Sequence, residues 1–320
     1  MIDKKTSASF RGLAILMVVV SHYAGWLFGN PAYPDLKSFV MGWGVYGVDI
    51  FMLLSGYGLV KSSQKQGITG RFVLRRVFNV ALPYYLIVGI FKIIDKAFTG
   101  PEDVKTYLLG SDYWFINVIL TLYIIFMVCY RIGWHKEILF TVAFTVYCIV
   151  MWYRGAQDFW LLSNPAFLIG VYGASLEKRF GDRVETIIKK INLPAIGLAG
   201  TFVFSYVFYC IPYKMWPEMV RSIFFTVFVL GVCVEFCGGG AVLPALGRFS
   251  LYMYILHGRV FARIVEWDLT WGSDMNLTIG SIVITCVVSI ALGYAVEWNL
   301  NRLLLLTDKL DKHDKLRSEL

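Results

Sequence analysis

Ten apolar runs, each close to twenty residues long, divide this chain almost from end to end. They fall at roughly 9–28, 40–60, 77–95, 113–131, 137–153, 159–175, 193–211, 219–237, 249–266 and 277–298. A helix needs about 20 mostly apolar residues to cross the hydrocarbon of a bilayer. In lipid every backbone polar group must be satisfied internally, so a run of this kind has few alternatives to a helix. The expected fold class is therefore all-α: a polytopic membrane protein of about ten transmembrane helices. Composition agrees. Of 320 residues, 58% are hydrophobic and 16% charged, with mean hydropathy +0.63. A soluble domain is about 45–50% apolar and about 25% charged. Ten Trp, 19 Tyr and 24 Phe suit aromatic belts at the two interfaces.

The formal charge is +8. In a soluble domain such an excess suggests nucleic acid. Here the basic residues cluster in short loops, so topology accounts for them and no nucleic-acid partner is expected. Lys and Arg in cytoplasmic loops orient a membrane protein. The termini and even-numbered loops hold twenty of them, among them Lys4, Lys5, Lys61, Arg75, Lys178 and Arg248, whereas the odd loops hold five: Lys37, Lys96, Lys105, Arg154 and Lys214. Both termini are expected in the cytoplasm, and the plasma (inner) membrane of a bacterium is the expected location. The first run follows Lys4 and Lys5 with no small-residue cleavage site before Asn30 and Pro31, so it reads as a retained span. Residues 1–298 form one ten-helix domain on this reading, and 299–320 a charged, amphipathic cytoplasmic tail. The six cysteines show no C-x-x-C pair and read as buried free thiols, with no metal site.

Ionisable residues inside spans are costly and mark function. Arg11 and His22 lie eleven residues apart in the first span. At 100° per residue they share one helix face, about 16 Å apart in depth. That face must line protein or a cavity, not lipid; a structural histidine bonded between helices would satisfy the same constraint. Asp49 in the second span is expected at the depth of His22, where a carboxylate could orient an imidazole that acts as general base. Arg71, Arg75 and Arg76 stand at the cytoplasmic mouth of the third span. They could grip phosphate bidentately, or serve only as positive-inside anchors. His257 lies within the ninth span, with Arg259 and Arg263 one turn apart beyond it. Those arginines could pair with acids such as Glu266 or meet an anionic or sugar acceptor.

These residues, in this order, resemble the membrane-bound acyltransferase-3 family of bacterial polysaccharide and glycan O-acyltransferases. The resemblance rests on Arg11-x10-His22 and on Gly-Val-Asp-Ile-Phe-Met-Leu-Leu-Ser-Gly-Tyr from Gly47 to Tyr57. Further matches are Arg71-Phe-Val-Leu-Arg-Arg with Pro83 and Tyr84, Tyr113-Trp114-Phe115-Ile116, the Phe167 to Gly173 segment, and Ser250 to His257. Asn79 stands where many members carry a further arginine. The resemblance implies transfer of an acyl group, acetyl by expectation, from cytoplasmic acyl-CoA to a hydroxyl of a glycan or lipid-linked saccharide. Acetyl-CoA would be a co-substrate, with no tightly bound cofactor. His22 would be the base or acyl relay and Arg11 its partner, with Asp49 beside them. Arg71, Arg75 and Arg76 would hold the donor, and Trp114, His257, Arg259 and Arg263 the acceptor. Intramembrane His, Arg and Asp also suit a proton-coupled saccharide or lipid transporter, although the matched broken helices of an inverted repeat are not evident. A noncatalytic membrane sensor or scaffold is the third reading.

Overall fold

The computed structural model describes residues 2–27, 40–111, 113–212, 214–235, 240–266 and 280–299. The expected tail at 299–320 lies outside them except for Asn299, as does Cys237. Among the described residues there is no strand. Nine helices among the described residues are long and apolar enough to span a membrane. The expected ninth span is a helix of 17 residues, Ser250–Glu266, shorter than those nine.

The helices are α1 (Lys4–Leu27), α2 (Trp43–Gln66), α3 (Gly70–Arg76), α4 (Leu82–Ile94), α5 (Pro101–Leu109), α6 (Trp114–Ile132), α7 (Lys136–Tyr153), α8 (Asn164–Phe180), α9 (Asp182–Lys190), α10 (Leu193–Cys210), α11 (Met215–Glu235) and α12 (Val242–Arg248). They make one compact unit, residues 1–248. A second unit, 249–320, holds α13 (Ser250–Glu266) and α14 (Gly280–Asn299).

Glycines set the core of the first unit. A Cβ on Gly47 would stand 2.6 Å from the Ala14 carbonyl oxygen, and one on Gly44 2.7 Å from Ser21 Oγ. Both are closer than real Cβ contacts, so α1 and α2 touch only because these positions lack side chains. Pairing of 44 with 21 and of 47 with 14 makes the two helices antiparallel. The other face of α2 meets α8 in the same way. Gly56 lies on the Phe167 carbonyl and Gly170 on that of Leu53. Here the helices run parallel. Ser163 lies 3.5 Å from the Val45 carbonyl at one end, and Lys61 pairs with Glu177 at 3.2 Å at the other. The hydrogen bond from Ser222 to Asp49 brings α11 alongside, also parallel, since Leu230 then reaches Gly173 further on. The second, sixth and eighth predicted spans thus point one way and the first points the other, as alternate crossing requires.

The third predicted span is broken locally. Residues Val77–Ala81 form a π turn in which the Leu82 N–H reaches back to the Val77 carbonyl. The physical cause is Pro83, which has no N–H to offer the Asn79 carbonyl and whose ring crowds it. Widening the helix by one residue relieves that clash. At the periphery, apolar side chains face outward. Phe202 is 69% exposed on α10 and Val146 53% on α7, a distribution that suits lipid and not water. In the second unit Tyr252 packs on Gly293, where a Cβ would come within 2.7 Å.

Cys129, Cys233 and Cys286 are buried thiols. The expectation of buried thiols fails at Cys210, which is exposed at the end of lipid-facing α10, and at half-buried Cys148.

Because Gly170 abuts backbone, no side-chain rotation can accommodate a larger residue there. Gly170→Val is expected to lower the thermal midpoint of the detergent-solubilised protein, by upwards of 1–3 kcal/mol of overpacking. A Gly58→Ala control, with open space around its Cβ, should melt as wild type.

Candidate functional site

Arg11 is solvent-accessible on α1 and donates to Ser7 Oγ at 3.2 Å. Arg76 and the Tyr123 phenol are near enough to bear on it electrostatically. Arg76, at the end of α3, donates to Ser62 Oγ at 2.9 Å. Its guanidinium lies over the rings of Phe72 and Tyr123, 5.4 and 5.8 Å from their centroids. Four helices, α1, α2, α3 and α6, therefore converge two arginines at the end of the bundle where the chain begins. Among the described residues neither arginine is paired with a carboxylate. Two like charges held together without an acid are costly unless an anion joins them, and guanidinium suits phosphate through paired N–H donors.

The other two expected donor arginines differ. Arg75, one residue and 100° round the helix, is exposed and donates to Gln66 Oε1 at 3.4 Å, so it turns away from Arg11. The side chain of Arg71 lies outside the described residues. Beside this end, Tyr57 donates to Glu177 Oε2 at 2.5 Å and accepts from the Ile2 N–H at 3.1 Å, while Lys61 pairs with the same carboxylate. This knot fastens the start of α1 to α2 and α8.

His22 is half-buried deeper along α1, flanked in sequence by buried Ser21 and Tyr23. It shares the Arg11 face, which turns about 80–100° from the side of α1 that packs on α2. Asp49 does not share that environment. It is fully buried, and it lies about 200° round α2 from Gly47, the residue that touches α1. Leu53 and Gly56, on the same face as Asp49, touch α8. The carboxylate accepts from Ser222 Oγ at 2.6 Å, with Ser163 and Arg221 close by. Asp49 is thus held between α2, α8 and α11 through Ser222, because the glycine faces of α2 dictate which way residue 49 points.

Near Asp49 is a cluster of charge and aromatic rings that sequence reading missed. Arg221 pairs with Glu218 at 2.9 Å and lies 5.4 Å from the Tyr46 ring and 5.2 Å from the Phe208 ring. Glu218 in turn feels the charge of Asp158. The i,i+3 acid–base pair at the head of a span was the available signal. Tyr123, one of many tyrosines, gave none. Trp114, at the start of α6, packs against Phe159 at 5.3 Å and Trp160 at 6.5 Å.

In the second unit His257 is buried. Its Nδ1 lies 3.0 Å from the Met253 carbonyl oxygen and 2.7 Å from that of Tyr254. Both are acceptors, so Nδ1 carries the proton and Nε2 is the basic nitrogen of the neutral ring. Arg263 is exposed and pairs with Glu266, while Arg259 is half-buried.

A family model described as an acyltransferase domain matches residues 9–298. The chain belongs to the acyltransferase-3 family. The match takes in α1 through α14, so the apolar helices and the acyltransferase domain of this acyltransferase-3 protein are one and the same body of sequence. No curated protein and no solved structure matches it. Its membership makes it a multi-pass membrane acyltransferase.

Removing the Ser222 hydroxyl strands one oxygen of a buried carboxylate. Ser222→Ala is expected to cost about 1–3 kcal/mol, read as a lower melting temperature. Asp49→Asn should lose less in the Ser222→Ala background than in wild type, because its charge is then no longer left uncompensated.

Proposed function

We propose that the protein transfers an acyl group, most simply acetyl, from acyl-CoA to a hydroxyl of a glycan or lipid-linked saccharide. The observation that carries this reading is the Arg11–Arg76 pair, unmatched by any carboxylate among the described residues, on the face of α1 that His22 shares about 16 Å deeper. The pair offers guanidinium N–H groups to the phosphates of the donor, with Ser62 and the Tyr123 ring fixing Arg76. The thioester then extends along α1 toward His22. The excess of Lys and Arg in the loops at that end argues that it faces the cytoplasm, where both termini would lie in a bacterial inner membrane.

In the reaction the acceptor hydroxyl attacks the thioester carbonyl. A C–O bond forms and the C–S bond breaks. His22 takes the hydroxyl proton as general base and returns it to the departing thiolate, which leaves as CoA thiol. Arg11, near the start of α1, balances negative charge on the donor. Trp114 remains a proposed acceptor contact.

The test is release of CoA thiol from acetyl-CoA by purified protein, with and without a cell-envelope glycan extract. Wild type should show glycan-stimulated release. His22→Ala should lose it while remaining folded and inserted. Arg76→Gln should raise the donor KM about tenfold, the effect of losing roughly 1.4 kcal/mol of charge-assisted binding. Full activity in His22→Ala would overturn the assignment of the base. Absence of release from acetyl, succinyl and longer-chain donors by a folded protein would favour a carrier.

A further inference from the structure

The donor arginines occupy one end of the first unit, and a second polar array occupies the opposite end. There, five elements bring side chains together: α6, the Asp158–Trp160 turn, α11, α2 and α10. Trp114 from α6 packs on Phe159 and Trp160, in the short helical turn Asp158–Trp160. That turn leads into Ser163, whose Oγ lies 3.5 Å from the carbonyl oxygen of Val45, next to Tyr46 of α2, and Asp158 bears electrostatically on Glu218 of α11. Glu218 pairs with Arg221, and Arg221 lies against Tyr46 of α2 and Phe208 of α10. Lys214 stacks on the same Phe208 ring at 4.8 Å. The end is the correct one for a second substrate. Tyr46 and Trp114 lie at the starts of α2 and α6, whereas Ser62 and Arg76 lie where α2 and α3 finish. Between the two arrays, nearer the second, is His22, whose neighbour Ser21 meets Gly44 at the head of α2.

We infer that this array, with Trp114, Asp158, Glu218 and Arg221 as its contacts, is the acceptor site, and that it takes an uncharged saccharide. The inference rests on the transferase reading above. Its chemistry is that of sugar recognition: aromatic faces for the C–H side of a pyranose ring, and carboxylates with a guanidinium for neighbouring hydroxyls. Phe159 is 39% exposed and Trp114 and Trp160 half-buried, so their rings remain open to a partner. Arg221, by contrast, is 12% exposed at its side chain. Its Nε is buried and makes no hydrogen bond among the described residues. A buried guanidinium with an unused donor is a costly arrangement that a ligand hydroxyl would complete. Two cations, Arg221 and Lys214, stand against two acids, Asp158 and Glu218. Without a net positive charge among the described residues of the array to compensate it, an anionic sugar would be desolvated beside two carboxylates, which favours a neutral one. The arrangement also separates the substrates. The phosphates of the donor and the hydroxyls of the acceptor would be held at opposite ends of the same bundle.

The envelope glycan extract is resolved on an anion exchanger into neutral and acidic fractions, and glycan-dependent CoA release is measured with each. The neutral fraction should be the better acceptor by at least about tenfold, which is 1.4 kcal/mol. Glu218→Gln and Trp114→Ala should each raise the KM for that fraction about tenfold while the donor KM stays within about twofold. Arg76→Gln should show the reverse pattern. Trp114→Ala serves where Glu218→Gln fails to fold. Preference for the acidic fraction, or unchanged acceptor KM in folded Trp114→Ala, would overturn the site. Tryptophan fluorescence titrated with the neutral fraction in the absence of donor separates the two readings. A saturable change that Trp114→Ala abolishes, with no CoA released in any assay, would sustain saccharide binding here and sink the transferase.

Discussion

Everything in the first unit depends on how closely α2 approaches its two neighbours. Lipid supplies no hydrophobic drive for helix association, so contact between backbones has to come from small residues. Gly44 and Gly47 admit α1, and Gly56 with Gly170 admits α8. Those two contacts lie on opposite sides of α2 and leave it no rotational freedom. Every other side chain on the helix then has an assigned direction. Tyr57 is aimed at Glu177, Asp49 at Ser222, and Tyr46 at Arg221. A helix with glycines on one face only could have turned Asp49 elsewhere.

The same constraint explains what the amino-acid order disclosed and what it concealed. The all-helical class and the approximate bounds of most spans were readable because lipid punishes every irregularity over a length of about 20 residues. Arg11 and His22 were readable because both ride one helix, where 100° per residue settles their relation without reference to any neighbour. The depth of Asp49 was equally plain, but its direction was not. That direction depends on which glycine face binds which helix, a property of pairs of helices rather than of one. Arg75 and Arg76 illustrate the same limit. They are adjacent in sequence, yet only Arg76 meets Ser62 and Tyr123, because α3 turns Arg75 outward to Gln66. Tyr123 acquires its place solely from α6 packing beside α3.

Polar groups concentrate at the two ends of the unit and are thin between them. At one end Arg11 and Arg76 are not paired with a carboxylate among the described residues, and at the other Arg221 is matched by Glu218. Lipid-facing α7 and α10 carry mostly apolar surface outward, and α1, α2, α6 and α8 carry the interior. The proposed donor and acceptor contacts lie on α1, α3, α6, α11 and the Asp158–Trp160 turn, not on α7 or α10, the two helices that turn most apolar surface outward. The second unit adds a histidine whose Nδ1 is committed to its own backbone.

One consequence follows from Arg11 and His22 sharing a single uninterrupted helix. Eleven residues of α-helix form a rigid rod of about 16 Å, and the distance between the two groups cannot change without unwinding α1. The knot of Ile2, Tyr57 and Glu177 pins one end of that rod, and Ser21, bonded to the Met41 carbonyl at 2.5 Å, pins the other. The helix is therefore a gauge of molecular length. A ligand gripped at Arg11, as proposed, would present to His22 only the atom lying that far along its own chain, so selectivity would be set by reach as well as by the shape of any pocket.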